Sequence, residues 1–202
     1  MTPATIANVS APRSCRSTAV VVMGVSGCGK TTIGKLLAEH FGCEFRDADS
    51  FHPAANVAKM SAGHPLTDED RWPWLMAIAD WLDAVRDQCA ASGTTRIATI
   101  VSCSALKRAY RSILIGSRDD VSLVYLKGDK ALIGARMAAR RHHFMPPSLL
   151  DSQFDALEEP GIDERPIEVS VAPLPQDIVA QILVQLGISA RTMPATGDAQ
   201  EK

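Results

Sequence analysis

The stretch from Gly24 to Thr31 carries the residue types that bind a polyphosphate. Its sequence, GVSGCGKT, fits the pattern GxxxxGK[ST]. Glycines let the backbone wrap closely around phosphate groups, and successive amide hydrogens at a helix start attract negative charge. In such a loop the ammonium group of Lys30 can bridge the β- and γ-phosphates, and the hydroxyl of Thr31 can ligate magnesium. The motif therefore predicts a nucleoside triphosphate site.

The residues on both sides of this motif support the prediction. Residues 18–23 form a continuous apolar run typical of a buried parallel strand, and the residues after the motif have helical spacing. The alternative is a glycine-rich turn that only packs tightly, and it would need four restricted positions to coincide by accident. Within the loop, we interpret Cys28 as a small filler residue rather than an oxidant-sensitive thiol.

Two carboxylates, Asp47 and Asp49, stand at the end of a short strand candidate at 43–47. At a strand-to-loop transition both side chains can reach the same crevice. A phosphotransferase would use one to hold magnesium-bound water and the other to accept a proton from the attacking hydroxyl. The alternative is turn or helix capping, in which Asp is common. Beside a phosphate loop we favour the catalytic interpretation.

Two basic residues, Arg71 and Lys107, stand where a polar ligand would need them. Arg71 lies in the first turn of a predicted helix, where a cation opposes the helix dipole. A carboxylate partner would justify it, either on a ligand or on the neighbouring Asp68 or Asp70. Lys107 follows the small residues that end a buried strand and adds a charge to the same rim. There Ser104 is either a ligand contact or a helix N-cap.

A third basic group ends a helix between Arg136 and Arg141. Arg136 and Arg140 are four residues apart, so they share one helical face, and Pro146-Pro147 follow. One interpretation is dipole compensation at a helix C-terminus. We favour a mobile lid, at about 136–150, that closes over ATP and neutralises charge on the transferred group.

Strands and helices alternate along the chain. The sequence predicts strands at 18–24, 43–47, 96–102, 121–126 and 167–171, and helices at 30–41, 70–90, 106–115, 129–140 and 176–186. This alternation predicts a parallel sheet with helices on both faces. In such sheets ligands bind beyond the carboxyl ends of the strands, where the motifs fall.

Composition restricts the possible functions. The 202 residues include 21 Lys and Arg against 23 Asp and Glu, a net charge of −2, so no overall field favours nucleic acid or an anionic membrane. We found no membrane-spanning run and no secretory signal, and predict a cytoplasmic protein. Five unpatterned cysteines argue against disulfides and zinc. We interpret residues 1–17 and 191–202 as disordered extensions of a single domain at 18–190.

Taken together, five segments resemble a small gluconate kinase of the phosphate-loop type, which is related in architecture to shikimate and nucleoside monophosphate kinases. The resemblance covers roughly residues 20–190. It is carried by GVSGCGKTTIGK (24–35), DADSFHPAANVAKMSAGHPLTDEDRWPWL (47–75), SCSALKRAYR (102–111), VYLKG (124–128) and RHHFMPPSLLDSQFDALEEP (141–160). The second and fifth segments are the most discriminating. Ala48 departs from the family, which usually has glycine between the two acids.

The resemblance implies a five-stranded parallel sheet of order 2-3-1-4-5 and transfer of the ATP γ-phosphate to the 6-hydroxyl of D-gluconate, with magnesium. It implies that Lys30 and Asp49 are catalytic, that Thr31 and, through water, Asp47 hold magnesium, and that the protein pairs as a homodimer. The residues implied to bind ATP are Gly24, Val25, Ser26, Gly27, Cys28, Gly29, Lys30, Thr31, Thr32, Arg136 and Arg140. Those implied to bind gluconate are Asp49, His52, Arg71 and Lys107.

Three other functions stay open at this point. A shikimate or other small-alcohol kinase would use the same phosphate loop with a different acceptor. A GTP-dependent switch is less favoured, because the sequence lacks the NKxD and DxxG segments expected of one. A protein that binds ATP only for structure is the third.

Overall fold

The computed structural model describes residues 17–139 and 147–188, and the side chains of all of these except 147–149. Within them the chain forms five strands: β1 (Ala19–Met23), β2 (Glu44–Asp47), β3 (Thr99–Ser102), β4 (Val121–Lys127) and β5 (Ile167–Ser170). The α-helices of the same residues are α1 (Lys30–Phe41), α2 (Ala54–Ser61), α3 (Asp68–Ser92), α4 (Arg108–Leu114), α5 (Lys130–Ala138), α6 (Pro147–Asp155) and α7 (Pro175–Gln185). Two 3₁₀ turns cover Ala48–Phe51 and Ile162–Glu164.

The strands form one sheet in the order β2-β3-β1-β4-β5, and every neighbouring pair is parallel. This confirms the predicted order 2-3-1-4-5. Because β1 is central, the loop that follows it opens at the carboxyl edge between β3 and β4. That edge is where a crossover sheet presents its ligand site.

Side chains of β1 alternate between two separate cores. Val20 and Val22 pack with α1 and α7 on one face of the sheet, and Val21 and Met23 pack with α3 and α4 on the other. All four are fully buried. A strand covered on both faces has no polar position, which explains the continuous apolar run in the sequence.

Two helices were not predicted, and each has a physical reason. α2 buries only a polar residue, Asn56, and exposes Val57 and Met60, so it lacks an apolar stripe. α6 begins at Pro147, a residue taken as a helix stop; proline is equally suited to the first position of a new helix.

The alternative interpretation of Ser104 as a helix N-cap was wrong, because α4 begins at Arg108 with Lys107 as its N-cap.

Several predictions fall outside the described residues. These are Arg140, positions 140–146 of the predicted lid, the extension at 1–17 apart from Ser17, and the tail at 191–202. In the part of the chain that is described, no helix combines the length and hydrophobicity that a membrane crossing needs.

A buried arginine ties together the segments behind the crevice. Arg111 is 1% exposed and forms a two-pronged ion pair with Glu164, through Nε at 2.6 Å and Nη2 at 2.9 Å. Its Nη1 donates to the carbonyls of Ala105, Leu106 and Glu158 at 3.2, 3.1 and 2.8 Å. Ala105 has a positive φ of 44°, so the turn before Lys107 is strained and depends on these contacts.

Replacing Arg111 by methionine is expected to lower the free energy of unfolding by roughly 3–5 kcal/mol, because it leaves the half-buried carboxylate of Glu164 and three carbonyls without their donor. Urea unfolding followed by circular dichroism measures the change. Arg108→Met is the control, since Arg108 pairs with Asp163 in solvent and such pairs contribute about 0–1 kcal/mol. Equal losses in the two variants would contradict this role for Arg111.

Candidate functional site

The phosphate loop lies between β1 and α1, as its sequence context predicts. Gly24, Gly27 and Gly29 have φ values of 144°, 82° and 103°, in a region that side chains disfavour. A Cβ on Gly27 would lie 2.6 Å from Cγ of Met137, because the end of α5 packs on the loop. A Cβ on Gly29 would meet nothing within 4 Å. The loop is therefore packed from one side and open at the start of α1.

Lys30 folds back across this loop. Its Nζ donates to the carbonyl oxygens of Gly24 and Val25, at 3.0 Å each. The ammonium group is thus held at the loop by neutral acceptors, which a phosphate would replace with stronger, charge-assisted hydrogen bonds. Positive-φ glycines, an open helix start and this lysine together fit the tail of a nucleoside triphosphate.

Cys28 behaves as the filler residue that was predicted. It is 2% exposed, and burial raises the pKa of its thiol. A buried, protonated thiol is a poor nucleophile, so oxidation of this side chain is disfavoured.

The predicted magnesium ligands meet beside the loop. Thr31 donates its hydroxyl to Oδ2 of Asp47 at 3.2 Å, while Oδ1 of Asp47 accepts the backbone amide of Asp49 at 3.2 Å. Asp47 therefore also fulfils the capping alternative, since it caps the 3₁₀ turn at Ala48–Phe51. Oδ1 of Asp47 thus stabilises the 3₁₀ turn, and Oδ2 of Asp47 contacts Thr31. A hydroxyl and a carboxylate at this spacing are the oxygen donors that magnesium prefers. Thr32, the next residue of α1, is exposed.

Asp49 lies in the crevice near both Lys30 and His52. Although solvent reaches its side chain, the surrounding protein limits its hydration, and this raises the pKa of the carboxyl; the charge of Asp47 raises it further. The charges of His52 and Lys30 oppose the rise. A carboxyl with a raised pKa is a stronger proton acceptor once it is ionised.

His52 is fixed by a ring stack. Its imidazole lies 4.4 Å from the ring of Trp74 at an interplanar angle of 14°, and the indole of Trp74 donates to the carbonyl of Ala48 at 2.7 Å. Burial lowers the pKa of His52, and the charge of Arg71 lowers it further, against the effect of Asp49. The neutral ring is favoured, so His52 can either accept or donate a hydrogen bond.

Arg71 and Lys107, the two cationic residues predicted to bind gluconate, both contact the carboxylate of Asp68. Asp68 accepts from Nζ of Lys107 at 2.9 and 2.7 Å, from Oη of Tyr110 at 2.5 Å, and from Nη1 of Arg71 at 3.4 Å. Arg71 also approaches Oη of Tyr110 at 3.3 Å. The alternative partner, Asp70, is bound instead by Lys59 at 2.5 Å, which lowers the pKa of Asp70 to about 2.

This arrangement leaves a local excess of positive charge. Two cations, Arg71 and Lys107, share the single carboxylate of Asp68, and the phenol of Tyr110 is neutral. An anionic group would complete the charge balance. The structure realises the ion-pair interpretation of Arg71, since it pairs with Asp68 at 3.4 Å. Its contact with a ligand carboxylate stays a prediction.

The helices on either side of residues 140–146 carry Arg136, on α5, and Gln153, on α6. Nη2 of Arg136 donates to the carbonyl of Ala172, beyond the end of β5, at 3.4 Å. Gln153, on α6, forms two hydrogen bonds with Ser26 of the phosphate loop, at 2.6 and 2.9 Å. Both helices that flank the predicted lid thus contact the phosphate loop, α5 through Met137 and α6 through Gln153. Arg136 bonds to Ala172, and its contact with ATP stays a prediction.

Comparison with known proteins agrees with this geometry. The model of the family "Shikimate kinase" matches residues 26–146. A gluconokinase from Gluconobacter oxydans (strain 621H) is 45% identical over 166 residues, covering 82% of this chain and 89% of that protein. The chain belongs to the gluconokinase family.

Solved structures support the family assignment. A gluconokinase from Sinorhizobium meliloti 1021 has a TM-score of 0.73 and 41% identity, covering 87% of this chain and 94% of that one. A sugar kinase from Janibacter sp. HTCC2649 has a TM-score of 0.74 and 45% identity, over 86% and 96%. The resemblance read from the motifs is thereby confirmed for the fold and the family.

Sequence reasoning missed three residues of this gluconokinase-family site. Tyr110 joins Asp68 in organising the cationic cluster, Trp74 holds His52, and Gln153 contacts the phosphate loop. Trp74 is also a core residue of α3, since it is 4% exposed. Gln153 lies in the discriminating LLDSQF segment, but nothing in its spacing indicates a partner 127 residues away.

Proposed function

We propose that this protein transfers the γ-phosphoryl group of ATP to the 6-hydroxyl of D-gluconate, giving 6-phospho-D-gluconate and ADP. The observation that carries the proposal is the placement of Asp49. It lies within electrostatic range of Lys30 at the phosphate loop and of His52, and His52 lies within range of Arg71 in the cationic cluster. This position supports a role for Asp49 as proton acceptor between the proposed phosphate site and the proposed carboxylate site.

In this proposal each residue has one task. The loop Gly24–Thr31, with Thr32, Arg136 and Arg140, holds the phosphates, and Lys30 exchanges its carbonyl partners for phosphate oxygens. Arg71 and Lys107 hold the gluconate carboxylate, and His52 contacts a hydroxyl. Ionised Asp49 accepts the proton as the 6-hydroxyl oxygen attacks the γ-phosphorus and ADP leaves.

Magnesium would be held by Thr31 and, through water, by Asp47. Bound there, it would neutralise charge on the phosphates. The hydroxyl–carboxylate contact at 3.2 Å supports this choice of residues.

Acceptor specificity is the direct test of the proposed reaction. Coupled detection of ADP release, with magnesium ATP and a panel of gluconate, other sugar acids and shikimate, is expected to give the highest kcat/KM for gluconate. Shikimate is the informative competitor, because the matching family model carries that name. Preferential turnover of shikimate would overturn the proposal.

Removing Arg71 is expected to act on gluconate rather than on ATP. In Arg71→Ala we expect KM for gluconate to rise about tenfold or more, with KM for ATP within about twofold, because a charge-assisted contact to the carboxylate is lost. Steady-state kinetics with each substrate varied in turn measures this. Arg96→Ala removes an exposed arginine at the other end of the sheet and serves as the control. A selective rise in KM for ATP would contradict the assignment.

We also propose a cytoplasmic homodimer. The four described cysteines, Cys28, Cys43, Cys89 and Cys103, are free thiols, which suits a reducing compartment. Exposed Val57 and Met60 on α2 offer apolar surface for a partner copy. Sedimentation of the purified chain tests the dimer, and a monomer at micromolar concentration would contradict it.

A further inference from the structure

Gln153 forms hydrogen bonds to one residue of the phosphate loop, Ser26, through both the oxygen and the nitrogen of its side-chain amide. Oε1 accepts the backbone N–H of Ser26 at 2.6 Å, and Nε2 donates to Oγ of Ser26 at 2.9 Å. Both residues are half-buried. Two hydrogen bonds between the same pair fix orientation as well as distance, because the amide plane of Gln153 must align with Ser26.

The peptide group between Val25 and Ser26, which Gln153 binds, also accepts a hydrogen bond from Lys30. The N–H of Ser26 belongs to the same planar unit as the carbonyl of Val25. That carbonyl accepts from Nζ of Lys30 at 3.0 Å and from the amide of Cys28 at 3.3 Å. A rotation of the Val25–Ser26 peptide would therefore move the acceptor of the lysine on which phosphate binding depends.

The helix that carries Gln153 is itself anchored. Leu150 of α6 is 5% exposed and joins the core that includes Ile133 of α5, and Lys130 pairs with Asp151 at 2.7 Å. Gln153 is thus a fixed support, whereas the loop it holds has glycines at positions 24, 27 and 29 that permit other conformations.

We propose that Gln153 is a positioning residue for the phosphate loop. It holds the Val25–Ser26 peptide plane in one orientation, so that the loop and Lys30 are ordered before ATP arrives. This inference rests on the proposed ATP site. Without Gln153, binding of ATP must also order the loop, and the ordering weakens affinity.

The test combines a measurement without nucleotide and one with it. In Gln153→Met, which keeps the side-chain size, we expect amide hydrogen exchange at Ser26, resolved by NMR, to quicken about tenfold or more in the nucleotide-free protein. By calorimetry, Kd for magnesium ATP is expected to rise about tenfold, as expected for the loss of two neutral hydrogen bonds. KM for gluconate is expected to stay within about twofold.

Two further variants distinguish the role of the Gln153 amide from a general effect of changing α6 and from the role of the Ser26 hydroxyl. Asp155→Ala changes an exposed residue on the same helix and is expected to leave exchange and Kd unchanged. Ser26→Ala keeps the amide that Gln153 accepts, so we expect a smaller rise in Kd than in Gln153→Met. A Ser26→Ala effect as large as that of Gln153→Met would overturn the proposal, because the hydroxyl rather than the peptide plane would then matter.

The remaining outcomes are also decisive. Unchanged Ser26 exchange or unchanged Kd in Gln153→Met overturns the positioning role while leaving the proposed function intact, as does an equal rise in KM for gluconate. Absence of magnesium ATP binding by the wild-type protein would instead overturn the proposed function itself. The wild-type titration therefore distinguishes the two failures.

Discussion

Lys30→Ala is expected to reduce kcat/KM by at least about 10³-fold, because it removes the cation that would neutralise the transferring phosphoryl group. The fold should persist. Among the described residues, Lys30 donates to two loop carbonyls, which can turn to water when the side chain is removed. Coupled ADP release measures the activity, and circular dichroism measures the fold.

Lys35→Ala is the matched control for this variant. Lys35 is an exposed lysine on the same helix, α1, about 1.4 turns further along. Its removal is expected to leave kcat/KM within about twofold of the wild-type value. Near-normal turnover in Lys30→Ala would rule out the proposed phosphate site.

Asp49→Asn is expected to lower kcat about 10²-fold or more, because the amide cannot accept the proton of the attacking hydroxyl. The change preserves the shape of the side chain, so KM for both substrates should move little. Asp80→Asn, at an exposed position of α3, is the control for a neutralised aspartate. An unchanged kcat in Asp49→Asn would assign proton transfer to another group.

The pH dependence gives a second measurement of the same role. Limited hydration and then the charge of Asp47 raise the pKa of Asp49, so its carboxylate forms at a higher pH than an exposed aspartate does. Activity should be present above this raised pKa and fall as the pH drops through it. The residual activity of Asp49→Asn should lack this acidic decline.

Much of the fold could be predicted because its elements carry local signals. The apolar run of β1 and the stripe of Trp74, Ile78 and Leu82 on α3 appear directly in the sequence, and all of these side chains are buried. Boundaries were less accurate: β3 begins at Thr99 rather than residue 96. The element α2 escaped prediction because its only buried residue is a polar one, Asn56.

The candidate site likewise has a part that could be predicted from the sequence and a part that could not. The phosphate loop and Asp47 could be found because their chemistry requires contiguous residues on one strand-to-helix connection. The partners of Arg71 could not be chosen in advance, since Asp68 and Asp70 are equally close in sequence. The choice depends on Lys107 and Tyr110, which lie 39 and 42 residues from Asp68 and reach it only after β3 pairs beside β1.

By itself, the order of amino acids determined the parallel α/β architecture, the phosphate loop and the two carboxylates beside it, since each depends on neighbours within a few residues. Only the tertiary structure decided that Lys30 donates to the carbonyls of Gly24 and Val25. It also decided that Asp68 contacts both Arg71 and Lys107, and that Gln153 forms hydrogen bonds with Ser26. The contacts of Lys107 and Gln153 join segments that are distant along the chain, and side-chain hydrogen bonds of this kind form only where packing of the sheet and helices has fixed both partners.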